Sequence, residues 1–365
     1  MRVLFITLFS EISGSSRIMA YQFLPFLEKA GIEYRAESVY SDKFFKTQMG
    51  LEKAGKIKKQ LNFIYYLFLG VLKRIYFSIE SKNYNAVFVQ RDSFPKSIYW
   101  LLIYMNPNVI YEFEDTFRET NPFLKRSFFH RILLNYQRSL YRNMVQKATL
   151  VVAANEYVAE EARAVNDRVA IICEPINTDL CRPAEFRRES DKVTLGWIGS
   201  PSTTVFLRSI AGVFPEIAKR HPNAQLKLVG AAPDFQVSGI SLIKKEWSPQ
   251  DELSDLRSFD IGLMPLADDP FYRGHLGHKM IQYMCVGIPV VASNTGLNPT
   301  VVKDNVNGFL ANNEKEWIEK LSLLIEDYEL RKKLGAAGRE IAENRFSLKK
   351  NADILINCLK AVSKN

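Results

Sequence analysis

One segment of the chain concentrates the residue types that bind phosphate: Asp260–Gly296, DIGLMPLADDPFYRGHLGHKMIQYMCVGIPVVASNTG. A loop containing Arg273, Gly274 and Gly277 precedes a predicted helix over Leu276–Val286. Glycines let backbone N–H groups approach phosphate oxygens, and a helix N-terminus adds a positive field. The segment therefore predicts a diphosphate site. A loop and helix packed only for stability stays open, because the pattern is neither a P-loop nor GxGxxG.

The side chains around this helix indicate which diphosphate it would bind. Lys279 and Gln282 are three residues apart and lie on nearly one helix face. Arg273 and Lys279 would give charge-assisted hydrogen bonds to phosphate oxygens, and Gln282 would meet ribose hydroxyls. We expect His278, like His275, to contact phosphate or sugar rather than a metal. The predicted ligand is a nucleoside diphosphate.

Strands alternate with helices along the chain, which predicts two doubly wound α/β units with parallel sheets covered on both faces. We expect a first domain at 1–180, a second at 190–345, and a final helix within 346–365 that crosses back to the first domain. The polar segment Glu174–Asp191 predicts a linker between the two domains. In such folds ligands lie beyond the carboxyl ends of strands, so the cleft between the domains is the expected active site.

Local sequence patterns predict individual helices and strands. Arg17–Ala30 shows helical spacing with Gly31 as a C-terminal cap, and Thr204–Arg220 and Pro249–Phe259 are also predicted helices. The predicted strands of the first half are Val3–Leu8, Ala86–Gln90, Asn108–Phe113, Leu150–Ala153 and Val169–Cys173.

The segment Lys279–Ser293, KMIQYMCVGIPVVAS, resembles the donor-binding region of glycosyltransferase family 4, the retaining GT-B enzymes. Weaker similarities cover the rest of the chain: Ser15–Tyr34, Val87–Pro95, Val109–Phe117, Pro175–Pro183 and VTLGWIGSPST at Val193–Thr203. The resemblance implies an α/β protein of GT-B architecture, with two Rossmann-like domains facing a central cleft. It implies transfer of a sugar from a UDP- or GDP-sugar to a hydroxyl with retention. The departing diphosphate would help to deprotonate the acceptor, and no cofactor or divalent metal is expected.

The resemblance also implies further donor-binding positions. A loop with Gly14 and Ser15 would approach the donor phosphate or the acceptor, although a plain turn with Ser15 or Ser16 as N-cap is the alternative. Backbone groups of Glu246 and Trp247 would read the base edge, unless Trp247 is ordinary core. The loop after the first strand of the second domain would contribute Gly199 and Ser200.

The chain departs from the family's pattern at two places. The two glutamates that the family carries with seven residues between them correspond here to Gly274 and Gln282. The usual Arg and Lys of the loop near 200–204 are replaced by Ser200 and Thr204. The positive charge that neutralises the diphosphate would therefore come from Arg273 and Lys279. A divergent active enzyme is the interpretation we adopt; a nucleotide-sugar-binding protein without turnover and a UDP-sugar epimerase of similar fold are the alternatives.

Three carboxylates lie at the end of one predicted strand: Glu112, Glu114 and Asp115. Glu112 and Glu114 should share a face, because side chains alternate along a strand. We predict that Glu112 or Asp115 orients or deprotonates the acceptor hydroxyl. A solvated or ion-paired cluster fits the same residues, and a metal site at Glu112-x-Glu114 or Asp268-Asp269 is the weaker reading.

The composition and charge of the chain indicate where the protein is located and which partners it binds. The chain has 365 residues, 47% of them hydrophobic, four cysteines without a C-x-x-C pair and a net charge of +9. These features, with a first segment that reads as a strand rather than a signal peptide, favour the cytoplasm. Basic and aromatic residues are interleaved in 43–82 and 118–147. This pattern predicts a peripheral position on an anionic inner membrane face rather than nucleic-acid binding, with a solvated face as alternative. The expected acceptor is a saccharide or lipid-linked saccharide of surface polysaccharide or lipopolysaccharide.

Overall fold

The computed structural model describes residues 1–48, 56–116, 128–183 and 192–363, with side chains at 1–47, 62–116, 131–183 and 192–363. The chain divides into two compact units. The first comprises Met1–Pro175 and Leu348–Asn365, and the second comprises Ile176–Ser347.

The first unit is built on a parallel six-stranded sheet. Its strands are β1 (Arg2–Thr7), β2 (Glu33–Ser38), β3 (Ala86–Gln90), β4 (Val109–Phe113), β5 (Leu150–Ala153) and β6 (Val169–Ile171). They are arranged in the order β2-β1-β3-β4-β5-β6. Alternate strand residues enter two separate apolar layers, so both faces of the sheet are covered.

Among the residues described before Ile176, this unit has seven α-helices. They are α1 (Gly14–Met19), α2 (Leu24–Lys29), α3 (Asp42–Gln48), α4 (Lys56–Glu80), α5 (Lys96–Met105), α6 (Phe128–Lys147) and α7 (Glu156–Arg163). The single helix predicted over Arg17–Ala30 is wrong, because Pro25 in the first turn of α2 cannot continue a preceding helix. The cap at Gly31 is confirmed: its φ is +69°, and Ile32 N donates to Leu27 O at 2.9 Å.

The second unit has the strand order β12-β11-β10-β7-β8-β9, again all parallel. Its strands are β7 (Val193–Ile198), β8 (Ala224–Val229), β9 (Ser241–Lys245), β10 (Ile261–Met264), β11 (Val290–Ser293) and β12 (Gly308–Ala311). The order reverses between β7 and β10, the place where doubly wound sheets bind ligands. The predicted architecture of two doubly wound α/β units is confirmed.

The helices of this unit are α8 (Thr204–Arg208), α9 (Val213–Arg220), α10 (Glu252–Leu256), α11 (His278–Cys285), α12 (Asn298–Val301), α13 (Glu314–Glu326) and α14 (Tyr328–Arg345). The single helix predicted over Thr204–Arg220 is wrong. It breaks before α9, where Pro215 in the first turn has no N–H to donate to the preceding turn. The helix predicted over Pro249–Phe259 is shorter than expected.

The last helix, α15 (Leu348–Val362), belongs to the first unit. Its buried Leu355 and Leu359 join Phe5 and Phe88 of the sheet in one apolar layer. The expected linker over Glu174–Asp191 is only partly described, since 184–191 lie outside the described residues. The described segment 176–183 is not a free linker. Arg339 donates to Thr178 O at 2.8 Å, which ties this segment to the second unit.

Helix α11 packs close to the place where the strand order of the second sheet reverses, between β7 and β10. Gly262 pairs with Gly196 across β10 and β7. A Cβ added at Gly262 would lie 2.4 Å from the Tyr283 ring, so only glycine lets α11 approach this strand. Ile198 N donates to the Tyr283 hydroxyl at 3.1 Å. The ring and its hydroxyl therefore fix α11 on both strands that flank the reversal.

On its other side α11 contacts α14, where Gly335 allows close packing. A Cβ at Gly335 would lie 1.9 Å from Gly287 O, a backbone atom that cannot move away cheaply. We expect Gly335→Ala to destabilise the protein by about 1–3 kcal/mol, measured by urea denaturation. Gly14→Ala is the control, because a Cβ there meets nothing within 4 Å. Equal stability of the two variants would contradict this account of the packing.

Candidate functional site

Three loops meet at the carboxyl edge of the second sheet. Gly199 follows β7, Gly230 follows β8, and Trp247 lies two residues past β9. A Cβ at Gly230 would lie 2.2 Å from Gly199 O and 3.1 Å from Trp247 Cβ. Gly230 also has a φ of +75°, which favours glycine. The structure therefore brings the predicted positions Gly199 and Trp247 into one small area.

Lys279 reaches this area from the first turn of α11. A Cβ at Gly199 would lie 2.9 Å from Lys279 Cε, and Lys279 Nζ lies 5.4 Å from the centre of the Trp197 ring. An ammonium beside a glycine backbone, at the start of a helix, is an arrangement that suits a phosphate. The structure thus places Lys279 against the loop after β7, and spacing along the sequence does not show this contact.

Gln282 is fixed by a glutamate that the sequence did not single out. Gln282 Nε2 donates to Glu252 Oε1 at 3.0 Å, and Trp247 Nε1 donates to Glu252 Oε2 at 2.7 Å. Because the amide NH₂ faces Glu252, the amide oxygen of Gln282 keeps its capacity to accept from hydroxyl groups. Glu252 thereby orients two predicted donor-binding side chains. Nothing in the sequence marks it, because the contact joins α10 to α11.

The predicted site residues in and after the loop that follows β10 differ in their exposure to solvent. Arg273 is mostly exposed, and its Nε lies 3.4 Å from Asp268 Oδ1. Gly274 is buried, and Gly277 packs so closely that a Cβ would lie 2.0 Å from Met264 Cε. His278 is half-buried as the first residue of α11. Among the described contacts, Lys279 rather than Arg273 is the cation that joins the Gly199 loop.

Ser200 lies where the family's pattern carries a cation, and it holds its own loop by hydrogen bonds. Ser200 N donates to Thr203 Oγ1 at 3.1 Å, and its hydroxyl lies 2.9 Å from Ser202 Oγ. Thr204 Oγ1 accepts from Ala232 N at 2.9 Å. Glu246 is exposed beside Trp247. The hydroxyl groups thus shape the loop after β7 without adding positive charge.

In the first unit, the first turn of α1 contacts Gln90 at the end of β3. Ser16 Oγ donates to Gln90 Oε1 at 3.1 Å, and Gln90 Nε2 donates to Ser15 Oγ at 3.0 Å. The alternative of Ser15 or Ser16 as N-cap is wrong, because α1 already begins at Gly14 and both hydroxyls bind Gln90. Gly14 and Ser15 therefore lie at the carboxyl edge of this sheet.

Glu112 lies next to Gln90 on the neighbouring strand and is fully buried, with 0% exposure. Neither of its carboxylate oxygens has a hydrogen-bond partner among the described residues. Burial raises the pKa of Glu112 well above its usual range, and the charge of Glu114 raises it further. Glu112 therefore favours the protonated, neutral form.

Arg91 connects the other two carboxylates of the predicted cluster. Its guanidinium pairs with Glu114 and with Asp115. The φ of Arg91 is +52°, a left-handed conformation that is uncommon for a residue with a side chain. The ion-paired alternative thus holds for Glu114 and Asp115, while Glu112 stays outside this pairing.

Burial raises the pKa of Glu114 to about 7, against the lowering effect of the Arg91 charge. Asp115 and Glu174 raise it further by repulsion. The side chain of Glu114 is 13% exposed, so one edge reaches solvent. A carboxyl group that titrates near neutrality at a strand end is a functional candidate. Within the described residues, no group of three or more His, Cys, Asp or Glu side chains is placed to hold a metal ion.

Residues 208–341, which include Lys279 and Gln282, match the family model described as Glycosyl transferases group 1. Among curated proteins, spore coat protein SA of Bacillus subtilis (strain 168) is 33% identical over 92 residues, 24% of this chain and 23% of that protein. Sulfoquinovosyl transferase SQD2 of Arabidopsis thaliana is 28% identical over 162 residues, 41% of this chain and 29% of that protein. The chain thus matches less than a third of the length of these curated relatives.

Solved structures resemble the whole chain. A glycosyltransferase from Rickettsia africae ESF-5 has a TM-score of 0.70 at 16% identity, covering 100% of this chain and 99% of that one. Anabaena Alr3699/HepE in complex with UDP and glucose has a TM-score of 0.65 at 14% identity, covering 98% and 99%. At such low identity the likeness establishes the fold, and it confirms the predicted GT-B architecture.

Proposed function

From the group 1 glycosyl transferase match at residues 208–341, we propose that this protein transfers a sugar from a UDP- or GDP-sugar to a hydroxyl acceptor, with retention of anomeric configuration. The observation that carries the proposal is the contact between Lys279 and the Gly199 loop, at the point where the strand order of the second sheet reverses. A nucleoside diphosphate needs positive charge and hydrogen-bond donors, and the Lys279 ammonium and the N-terminus of α11 coincide there beside a glycine loop.

The rest of the nucleotide would extend along the same sheet edge. The amide oxygen of Gln282 would accept from ribose hydroxyls, with its orientation set by Glu252. Trp247 and the backbone at Glu246 would flank the base. Anabaena Alr3699/HepE is solved with UDP and glucose, which supports a uridine nucleotide as the first donor to test.

In a front-face reaction, the departing diphosphate helps to deprotonate the acceptor. Stabilising that diphosphate would then be the largest catalytic contribution. Lys279, Arg273 and the N-terminus of α11 would supply that charge without a cofactor or divalent metal. In the first unit, Glu114 and Asp115 would orient the acceptor hydroxyl, and Gly14 and Ser15 at the start of α1 would lie at the same edge of the sheet. Glu112, which is fully buried, would not contact the acceptor itself. The first unit would thus bind the acceptor and the second the donor.

We further propose that the acceptor is a saccharide or lipid-linked saccharide of surface polysaccharide or lipopolysaccharide, met at the inner membrane face. The basic and aromatic helices of the first unit support this. In the described part of the chain, no helix combines the length and apolarity that crossing a bilayer requires. Membrane contact would therefore be peripheral for the residues that are described.

Thermal-shift titration with UDP, GDP, ADP and their sugars tests the donor assignment, because a ligand that binds the folded state raises its midpoint. We expect UDP or GDP to raise the midpoint and ADP to have less effect. No shift with any nucleotide would contradict the proposed site. Binding without transfer or hydrolysis would identify a non-catalytic binding protein. Conversion of the donor sugar without an acceptor would identify an epimerase.

Glu252 gives a more specific prediction. Glu252→Ala should weaken UDP binding by about 0.5–1.5 kcal/mol, roughly two- to tenfold in Kd, because Gln282 and Trp247 lose their common acceptor. Isothermal titration calorimetry measures the change, with the exposed Glu319→Ala as control. Glu252→Gln should recover part of the affinity, since its amide oxygen still accepts one of the two bonds. Unchanged affinity in Glu252→Ala would contradict an orienting role.

A further inference from the structure

Helix α4 presents an apolar face to the outside of the first unit. Between Asn62 and Glu80, every exposed side chain is aliphatic or aromatic. These side chains, which we call the α4 face, are Phe63, Ile64, Tyr65, Leu67, Phe68, Leu72, Tyr76 and Ile79. Phe68 is 61% exposed and Ile64 is 64% exposed, so the face is open over several turns.

Two polar side chains in the described part of the same helix point inward. Arg74 is buried and pairs with the buried Asp92, with Nε and Oδ2 2.8 Å apart. Ser78 is also buried, and its hydroxyl donates to Arg74 O at 2.7 Å. A helix on a water-facing surface has the opposite distribution. The α4 face is therefore suited to an apolar surrounding.

The neighbouring helices also expose apolar side chains. Helix α5 packs against α4 and α6, and it exposes Trp100 and Tyr104. Helix α6 exposes Ile132, Leu133 and Tyr136. Exposed apolar side chains on one helix alone can be incidental, but a set on three adjoining helices marks a contact surface. Tyr and Trp are the residues that favour the boundary between hydrocarbon and water.

The charges of these helices indicate what the surface contacts. Glu80 is the one acidic residue in α4, α5 and α6. Apart from the buried Arg74, which pairs with Asp92, the basic residues are Lys56, Lys58, Lys59, Lys73, Lys96, Arg131, Arg138, Arg142 and Lys147. Such helices attract phosphate groups and repel a second basic surface.

Three occupants can be compared on this basis. In a two-fold dimer the same basic helices would face each other, and like charges would oppose the contact. A nucleic acid would match the charge but has no hydrocarbon to cover Ile64, Leu72 and Ile79. An anionic bilayer supplies both phosphate and hydrocarbon.

We propose that the α4 face lies in the interface of an anionic membrane, with α4 parallel to its plane. From Phe63 to Ile79 the face is about 24 Å long at 1.5 Å per residue. The inference rests on the peripheral location in the proposed function and assigns it to defined side chains. It is independent of the donor site in the second unit.

The test is flotation of the full chain with vesicles of phosphatidylcholine alone or with 30% phosphatidylglycerol. The double variant Phe68→Glu/Leu72→Glu places charge in the α4 face. Leu323→Glu/Val306→Glu is the matched control, since both leucine and valine are exposed in the second unit. Thermal midpoints and UDP affinity are measured for each, so that misfolding or failure of the donor site is seen separately.

We expect the wild type and the control to bind the anionic vesicles at least tenfold better than the neutral ones. We expect Phe68→Glu/Leu72→Glu to lose at least tenfold while its UDP affinity is unchanged. Equal vesicle binding by both double variants would overturn the proposal, and so would absence of wild-type binding. A wild-type dimer in lipid-free solution that only Phe68→Glu/Leu72→Glu dissociates, without vesicle binding, would assign the face to a second copy instead.

Discussion

Lys279→Ala is expected to weaken UDP or GDP binding by about 1.5–3 kcal/mol, roughly 10- to 150-fold in Kd. Lys279 is the cation that the structure places against the glycine loop after β7. Its removal takes away a charge-assisted hydrogen bond and leaves phosphate oxygens opposite an uncharged methyl group. Isothermal titration calorimetry on the full chain measures the loss directly.

The control for this variant is Lys315→Ala, because Lys315 is an exposed lysine on α13 of the same unit. It removes the same charge from the unit without touching the proposed site. Its Kd should equal that of the wild type. If Lys279→Ala bound nucleotide as tightly as Lys315→Ala, the diphosphate would have to lie elsewhere.

Glu114→Gln is expected to lower the turnover of sugar transfer by about 10²- to 10⁴-fold. In the first unit, Glu114 combines a partly exposed carboxyl with a pKa of about 7. Its ionised form would accept a hydrogen bond from the acceptor hydroxyl, and the amide cannot carry that charge. Arg91 keeps its pair with Asp115 in this variant, so the loop should stay in place.

The same carboxyl predicts a pH profile. Below about pH 7 Glu114 is protonated and cannot accept from the hydroxyl as a carboxylate, so kcat/KM should rise as pH increases through that value. Arg91 opposes this protonation, and Asp115 and Glu174 favour it. The rising limb should be absent in Glu114→Gln. Glu156→Gln, an exposed carboxylate on α7, is the control and should keep it. An unchanged limb in Glu114→Gln would assign the titration to another group.

Strand and helix alternation was sufficient to predict the fold, because buried parallel strands are nearly continuous apolar runs. The predicted strands Ala86–Gln90 and Leu150–Ala153 have the bounds that the structure shows. The strand β2 was missed, since Glu33–Ser38 is a polar edge strand with no fully buried residue. The sequence pattern merges each of two helix pairs into one helix, because the apolar spacing continues across Pro25 and Pro215.

The candidate site was predicted less completely, because its contacts join residues that are distant in sequence. Lys279 and Gln282 could be singled out from one helix face, but Glu252, 30 residues away, could not. The predicted cluster at Glu112 and Asp115 was recognisable as carboxylates at a strand end. Only the structure shows that Asp115 is paired with Arg91 while Glu112 is buried without a described partner.

We propose that the second unit binds a sugar nucleotide through Lys279 and that the protein uses this nucleotide for glycosyl transfer. The most direct measurement is release of nucleoside diphosphate from a panel of UDP- and GDP-sugars, with and without saccharide acceptors, by the wild type and by Lys279→Ala. We expect release by the wild type with at least one donor, stimulated by an acceptor, and at least tenfold slower release by the variant. No release from any donor by the folded wild type, or equal rates for the two proteins, would contradict the claim.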